Sequence, residues 1–318
     1  VCKKTVFDKG CVLLAIGGHA LVKGKRGDFK DQLEETRETC KHVVELLERG
    51  FNVVITHGNG LQVGNELLRM ELSKGKVSPL PLYVCGACTQ GTIGYTIQIT
   101  LLNELMISGV WRPVTPIVTP VIVDRHDLAF KEPTKFIGPF YGESEAKKIA
   151  KKNWVIKKDA DRGYRRVVPS PFPKRIVGIE GIKELVNRGH IVISCGGGGI
   201  PVIEKEDGTL EGVDAVIDKD FASMVLAIEL GIKKIIMVTD IEKVFLNYLT
   251  ENQVPIDEMS LEEAEKYLGD GHFPPGSMGP KIKAVINFLK KGGEEVVILS
   301  IENIGKALEK GVGTTIHA

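Results

Sequence analysis

Short, wholly apolar runs alternate with longer amphipathic stretches along most of the chain. Residues 11–16 (Cys-Val-Leu-Leu-Ala-Ile) carry no polar position, as a strand covered on both faces of a parallel sheet requires. From 29 to 49, Leu33, Thr36, Cys40, Val43, Val44 and Leu47 recur every three or four residues, which predicts a helix opened by Asp28 and closed by Gly50. Val53–Thr56 is the next buried strand, so a β-α-β unit with a right-handed crossover lies within the first sixty residues. The same reading predicts helices over 64–74 (Leu67, Leu68 and Leu72 inward), 90–108, 177–188, 261–268 and 282–291. It places another behind Asp220, with Phe221, Val225 and Ile228 inward and Gly231 at its end. Strands are predicted at 116–124, 191–194, 235–239 and 296–299, with a hairpin turn at Asp207-Gly208 and a loop over 240–250. This alternation defines an α/β protein with a mainly parallel sheet.

Residues 125–175 break the pattern. Lysines cluster there (Lys147, Lys148, Lys151, Lys152, Lys157, Lys158), Asp161-Arg162 follows, and prolines 169, 171 and 173 end the stretch. Phe136, Phe140, Tyr141, Trp154, Tyr164 and Phe172 supply core material, so this is an inserted subdomain, with the lysines as a solvated face.

Three predicted strands run into glycine: Gly17-Gly18, His57-Gly58-Asn59-Gly60, and Gly196 to Gly199. Backbone without Cβ atoms can approach an anion closely, and converging strand ends suit a phosphate-rich ligand. The chain has no GxxxxGK[ST], and the four-glycine run lacks GxGxxG spacing, which excludes a P-loop and weakens a dinucleotide-binding reading. A net charge of +1 points to neither nucleic acid nor an acidic membrane surface. No signal peptide or membrane-spanning run is legible, and the default location is the cytoplasm. Cys85-Gly-Ala-Cys88 has metal or redox spacing, but no second pair completes a zinc set, so reduced thiols and no metal site are expected.

Phosphoryl transfer needs positioned cations around the moving group. Lys135, Lys219 and Lys281 each stand in a loop or helix start framed by Gly, Pro or Asp, with Asp220 beside Lys219. In chain order come Ala15 to Leu21, Thr56 to Gly64, Gln90 to Tyr95, Pro133-Thr134-Lys135 through Tyr141, Arg165 to Pro171, Gly196 to Pro201, Ala215 to Asp220 and Gly276 to Lys281. Together these stretches resemble the motifs of the carbamate kinases within the amino acid kinase family.

That resemblance implies a three-layer α-β-α sandwich around an eight-stranded, mainly parallel sheet, working as a homodimer. Residues 1–212 would form a lobe for the small substrate and dimer contacts, with 125–175 as its protruding lid, and 213–318 a nucleotide lobe. The implied reaction is reversible transfer between carbamoyl phosphate and Mg-ADP, giving ATP and carbamate, with Mg²⁺ entering on the nucleotide. Lys135, Lys219 and Lys281 would neutralise phosphate charge and Asp220 would orient lysines. Gly17, Gly18, His19, Gly58, Asn59 and Gly60 would face the small substrate. Gly196, Gly197, Thr239, Asp240, Val244, Tyr248 and Met278 would border the nucleotide together with Lys281. The family usually has Asn where His19 stands and Pro where Leu61 stands. The same residues would serve a kinase of this fold acting on another small carboxylate or carbamoyl compound, or a nucleotide-binding sensor without turnover.

Overall fold

The computed structural model describes residues 9–21, 28–150, 154–159, 163–274 and 276–318. Its central sheet has eight strands: β1 Cys11–Ile16, β2 Asn52–His57, β3 Val114–Pro116, β4 Ile191–Ile193, β5 Lys234–Thr239, β6 Glu258–Ser260, β7 Glu295–Ser300 and β8 Thr314–His317. They lie in the order β6-β8-β7-β5-β1-β2-β4-β3. β1 sits in the middle, with Leu14 opposite Ile55 on one side and Ile236 on the other, all three strands parallel. Only β8 and β6 reverse: β8 runs antiparallel to β7 and parallel to β6. The α/β class and the mainly parallel eight-stranded sheet are as the sequence implies.

Successive residues of a strand point to opposite faces, and β1 shows what that does here. Val12, Leu14 and Ile16 pack with α1 (Phe29–Glu48) and α3 (Leu82–Ile107), through Val43, Leu47, Ile97 and Leu101. Leu13 and Ala15 pack with α6 (Lys219–Leu230) and α8 (Met278–Lys290), through Met224, Ile282 and Phe288. Helices therefore cover both faces. The chain order reverses at β1, since β2 to β4 lie on one side and β5 to β8 on the other; ligands of open α/β sheets bind at the carboxyl ends of strands at such a switch.

Several helices begin earlier than their apolar pattern. α2 spans Gly60–Ser73, with Leu72 78% exposed and not inward. α3 opens at Leu82, directly behind Pro81, where the Asp214 carboxylate accepts the Leu82 N–H at 2.9 Å and so satisfies a donor the helix cannot. α8 opens at Met278, which puts Lys281 in its first turn. Asp28 precedes α1 without a capping bond, and Gly50 follows it at φ +91. The expected strand at 116–124 is two pieces, β3 and Pro120–Val123, the latter in a second sheet with Pro173–Ile176, Ile200–Glu204 and Leu210–Gly212. Inside the expected 240–250 loop, Val244–Leu246 pairs with Val254–Ile256.

The inserted segment forms a three-stranded antiparallel sheet, Lys135–Tyr141, Tyr164–Val168 and Ile156–Lys158, with α4 at Glu143–Ala150. Its buried side chains include Ile137, Tyr141, Ala146, Asp159, Val167 and Val168. Three of the six predicted core aromatics are instead packing platforms: Arg165 stacks over Phe140 at 4.9 Å and Arg166 over Trp154 at 4.2 Å, while Phe172 meets Phe221 of α6. Lys151, Lys152, Asp161 and Arg162 lie outside the described residues. Among the described residues no helix is long and apolar enough to cross a membrane.

Candidate active site

Just past the carboxyl ends of β1 and β2 the backbone is packed too tightly for a side chain at Gly17 or Gly58. A methyl group on Gly17 would stand 2.9 Å from the Val238 carbonyl oxygen, and one on Gly58 would stand 3.0 Å from the Gly18 nitrogen. Asn59 precedes α2 without capping it; its amide donates instead to the Thr89 hydroxyl at 2.8 Å. No side chain therefore caps α2, whose N-terminal N–H groups and dipole favour an anion. Ser277 likewise leaves the start of α8 without a side-chain cap.

Between the ends of β1 and β5 and the start of α8 lies a cavity of 310 Å³ lined by Gly17, Lys135, Asp218, Lys219, Asp220, Thr239, Gly276, Ser277 and Lys281 among others. Lys219 and Lys281 reach the two oxygens of one carboxylate: Lys219 Nζ is 2.8 Å from Asp220 Oδ1, and Lys281 Nζ is 2.9 Å from Oδ2. Burial alone would raise the Asp220 pKa, but the two ammoniums outweigh it and hold the group far below the usual carboxylate range. Burial lowers the Lys219 pKa, aided by Lys281 and opposed by Asp220. Lys135 arrives from the subdomain and pairs with Asp218 at 2.5 Å. Its burial acts against the ammonium, but Asp218 more than compensates and raises its pKa. Asp218 also caps α6, accepting the Asp220 N–H at 2.9 Å. Three ammoniums thus face two carboxylates, and the cluster keeps net positive charge for an anionic ligand. A second cavity of 510 Å³ shares Lys135, Asp218, Gly276 and Pro280 with the first, so the Lys135–Asp218 pair stands where the two adjoin.

Among the other predicted residues, Thr239 donates to Asp240 at 3.0 Å at the end of β5. Val244 is fully buried, with its N–H on the Thr314 hydroxyl. Tyr248 is 36% exposed beside Phe245, and Met278 is buried at the start of α8. Gly18 and Gly60 open the short helix Gly18–Leu21 and α2; His19 lies in that short helix, and its side chain is outside the described ones. Gly196 and Gly197 sit under His57 and Asn59 and do not line the lysine cavity: an added methyl would lie 2.2 Å from His57 Nε2 at Gly196 and 2.1 Å from Asn59 Nδ2 at Gly197. Gly198 and Gly199 are equally confined, by the Ile217 carbonyl at 2.3 Å and Val121 Cγ2 at 2.2 Å. This run is a packing block beneath the His57-Gly58-Asn59 loop.

The structure adds residues that sequence reasoning gave no role. Thr56 donates to Ser223, which donates to the Lys219 carbonyl, so the end of β2 is tied to the start of α6 (2.6 and 2.7 Å). Gln90 of α3 donates to the Gly196 carbonyl and accepts the Thr119 N–H, both at 2.8 Å. Ser223 stands one turn beyond Lys219, the only local signal of its role. Cys85 and Cys88 share α3; the Cys85 thiol is buried and pushed up to about 11, the mark of an inert thiol.

His57, buried between Gly58 and Gly196, stays neutral. Burial, with a smaller push from Lys219 and against its bond to the Gly58 carbonyl, lowers its pKa from 6.5 to about 4. The unfolded chain takes up a proton in that window and the folded one does not. His57 therefore costs the fold about 3 kcal/mol as pH falls from the upper to the lower value. His57→Gln is expected to flatten the decline of unfolding free energy across this window in urea titrations; an unchanged decline would refute the buried neutral ring.

Residues 10–300 match the sequence profile of the amino acid kinase family, and the chain belongs to that family. It is 48% identical to the carbamate kinase of Pyrococcus horikoshii over 309 residues, 96% of this chain and 98% of the relative. Among solved structures it resembles carbamate kinase from Giardia lamblia bound to citric acid, with a TM-score of 0.91 and 38% identity over 96% of this chain and 98% of that one. The same Giardia enzyme bound to AMP-PNP matches at a TM-score of 0.88 and 37% identity, with the same shares covered.

Proposed function

We propose that this chain is a carbamate kinase: it moves a phosphoryl group reversibly between carbamoyl phosphate and Mg-ADP, giving ATP and carbamate. The observation that carries the reading is the Lys219–Asp220–Lys281 triad at the switch point, joined by Lys135 from the subdomain. The P–O bond to the carbamoyl oxygen breaks as an ADP β-phosphate oxygen bonds to phosphorus. Negative charge spreads over the oxygens in flight, and fixed ammoniums stabilise it without reorganising. Gly17, Gly18, Gly58 and Asn59 would hold the small substrate at the open start of α2. Thr239, Asp240, Tyr248 and Met278 would border the nucleotide beside α8, so residues 1–212 and 213–318 take one substrate each. We expect no covalent intermediate; the work is positioning and charge.

The residues present suit a metal that arrives with its nucleotide. Asp218 and Asp220 are engaged by lysines, and the described residues hold no cluster of three metal-ligating side chains. Mg²⁺ is commonly held by substrate phosphates and water, and there it would neutralise phosphate charge. A nucleotide-dependent reaction and the free buried thiols Cys40, Cys85 and Cys195 fit the cytoplasm.

The test is ATP formation from carbamoyl phosphate and Mg-ADP by the purified chain, beside Lys281→Ala. Turnover that collapses in the variant supports the reading. A folded, ADP-binding protein without turnover overturns it and directs the search to other small carboxylate acceptors, starting from His19→Asn.

A homodimer belongs to the same proposal. α1 and α3 leave an apolar groove of 650 Å³, lined by Phe29, Leu33, Tyr95, Ile99, Met106 and Ile107, with Phe29 61% and Met106 78% exposed. Arg37 and Glu104 cross it at 2.8 Å. A second copy covers this face in our reading. Light scattering should give twice the chain mass, and Ile99→Asp should return it to one; a monomeric wild type would refute the assignment.

A further inference from the structure

The subdomain meets the body at one point through backbone alone. Gly64 lies inside α2, and a methyl group built on it would stand 1.8 Å from Gly138 Cα and 2.2 Å from Gly138 N. Gly138 is three residues beyond Lys135 on the same strand, at φ +75. Glycine in a helix interior is disfavoured relative to alanine, and Gly64 has no left-handed φ to require it. What requires it is the neighbouring backbone.

The contact is held from all sides. Val63, Ile137, Val168 and Val216 form one buried apolar cluster around it. Arg165 Nε donates to the Gly138 carbonyl at 3.0 Å, and Val216 N donates to the Pro169 carbonyl at 2.9 Å. One turn before Gly64, α2 starts at Gly60 behind Asn59, beside Gly58 and its contact with Gly18. One helix thus runs from the substrate-facing loop to the strand that carries Lys135.

We infer that the Gly64–Gly138 contact is the joint that sets the reach of Lys135 over the transferring group, making both glycines positioning residues. The inference rests on the carbamate kinase reading. It explains why a helix gives up alanine one turn inside its start, at a position with ordinary helical φ. A subdomain pushed back by one methyl radius takes the Lys135 ammonium with it, and a displacement of about 1 Å costs on the order of 10²-fold in rate.

The experiment uses Gly64→Ala in the whole chain, alone and with Lys135→Ala. We expect kcat to fall by about 10²-fold with ADP affinity unchanged. Amide exchange should quicken at 135–141 and 164–168 and stay slow in β1 and β2. In the Lys135→Ala background Gly64→Ala should cost nothing further, because the group it displaces is already gone. Wild-type kcat in Gly64→Ala, or an equal loss with and without Lys135, would overturn the joint. If wild type itself makes no ATP, the reaction assignment fails, and the exchange pattern alone decides the joint. Should Gly64→Ala not fold, Gly138→Ala replaces it: at φ +75 an alanine strains the strand at the same contact while its methyl meets Gly64 Cα at 3.4 Å, and an additive loss with Lys135→Ala there refutes the inference.

Discussion

Asp220→Asn is expected to weaken the fold and stop the proposed reaction together. The amide keeps the shape and removes the one charge that Lys219 and Lys281 share. Both ammoniums are mostly withdrawn from water, with side-chain exposures of 14% and 10%, and without the carboxylate they repel one another in a poorly solvated space. Breaking a buried pair on one side costs roughly 3–5 kcal/mol. The pH sign follows from the depressed carboxyl. In the wild type Asp220 contributes stability above its ordinary value of 3.8, lost only as pH falls further towards its native pKa. The variant lacks that contribution at neutral pH already. Because the lysines lose their fixed geometry as well, turnover should fall by about 10²–10³-fold. Urea unfolding at neutral pH and initial rates of ATP formation check the two halves. A variant as stable as wild type would show that the lysines relax apart at little cost, and the triad would lose its structural meaning.

Lys135→Ala should behave differently. Its ammonium comes from the subdomain strand and leaves α6, α8 and the Lys219–Asp220–Lys281 cluster untouched. Asp218 loses a partner but is 23% exposed and keeps the Asp220 N–H, so the effect on stability is small. The expected result is a loss of about 10²–10³-fold in kcat with ADP binding retained, read by steady-state rates and calorimetry. Equal losses in ADP affinity and in rate would mean that Lys135 holds the nucleotide and not the group in transfer.

The central strands were legible because their positions are apolar throughout. β1, β2, β5 and β7 fall where such runs occur, and the periodicity of α1 found its bounds. The starts of α2, α3 and α8 were not. Each opens on Gly60, Pro81 or Ser277-Met278-Gly279-Pro280, which by composition is loop, and tertiary contacts such as the Asp214 carboxylate on Leu82 N–H complete the turn. The hidden start of α8 matters most for the site, because Ser277, Pro280 and Lys281 line the lysine cavity there. Lys219 and Asp220 announced themselves as neighbours, and Lys281 through its glycine frame. The partner of Lys135 did not: Asp218 lies 83 residues away, and no local pattern connects a subdomain strand to a helix cap. Spacing alone puts Leu33 in the apolar stripe of α1 and Leu72 inward on α2, yet both are exposed, because an apolar stripe does not say which layer covers it.

The glycine run at 196–199 has a consequence for inheritance. Each of its four positions is confined by a different part of the chain: the His57 ring, the Asn59 amide, the Ile217 carbonyl and the Val121 side chain. None of the four can drift alone. A lineage that enlarges one of these positions must shrink or move its opposite number in a distant segment, so the unit of change is the pair and not the residue.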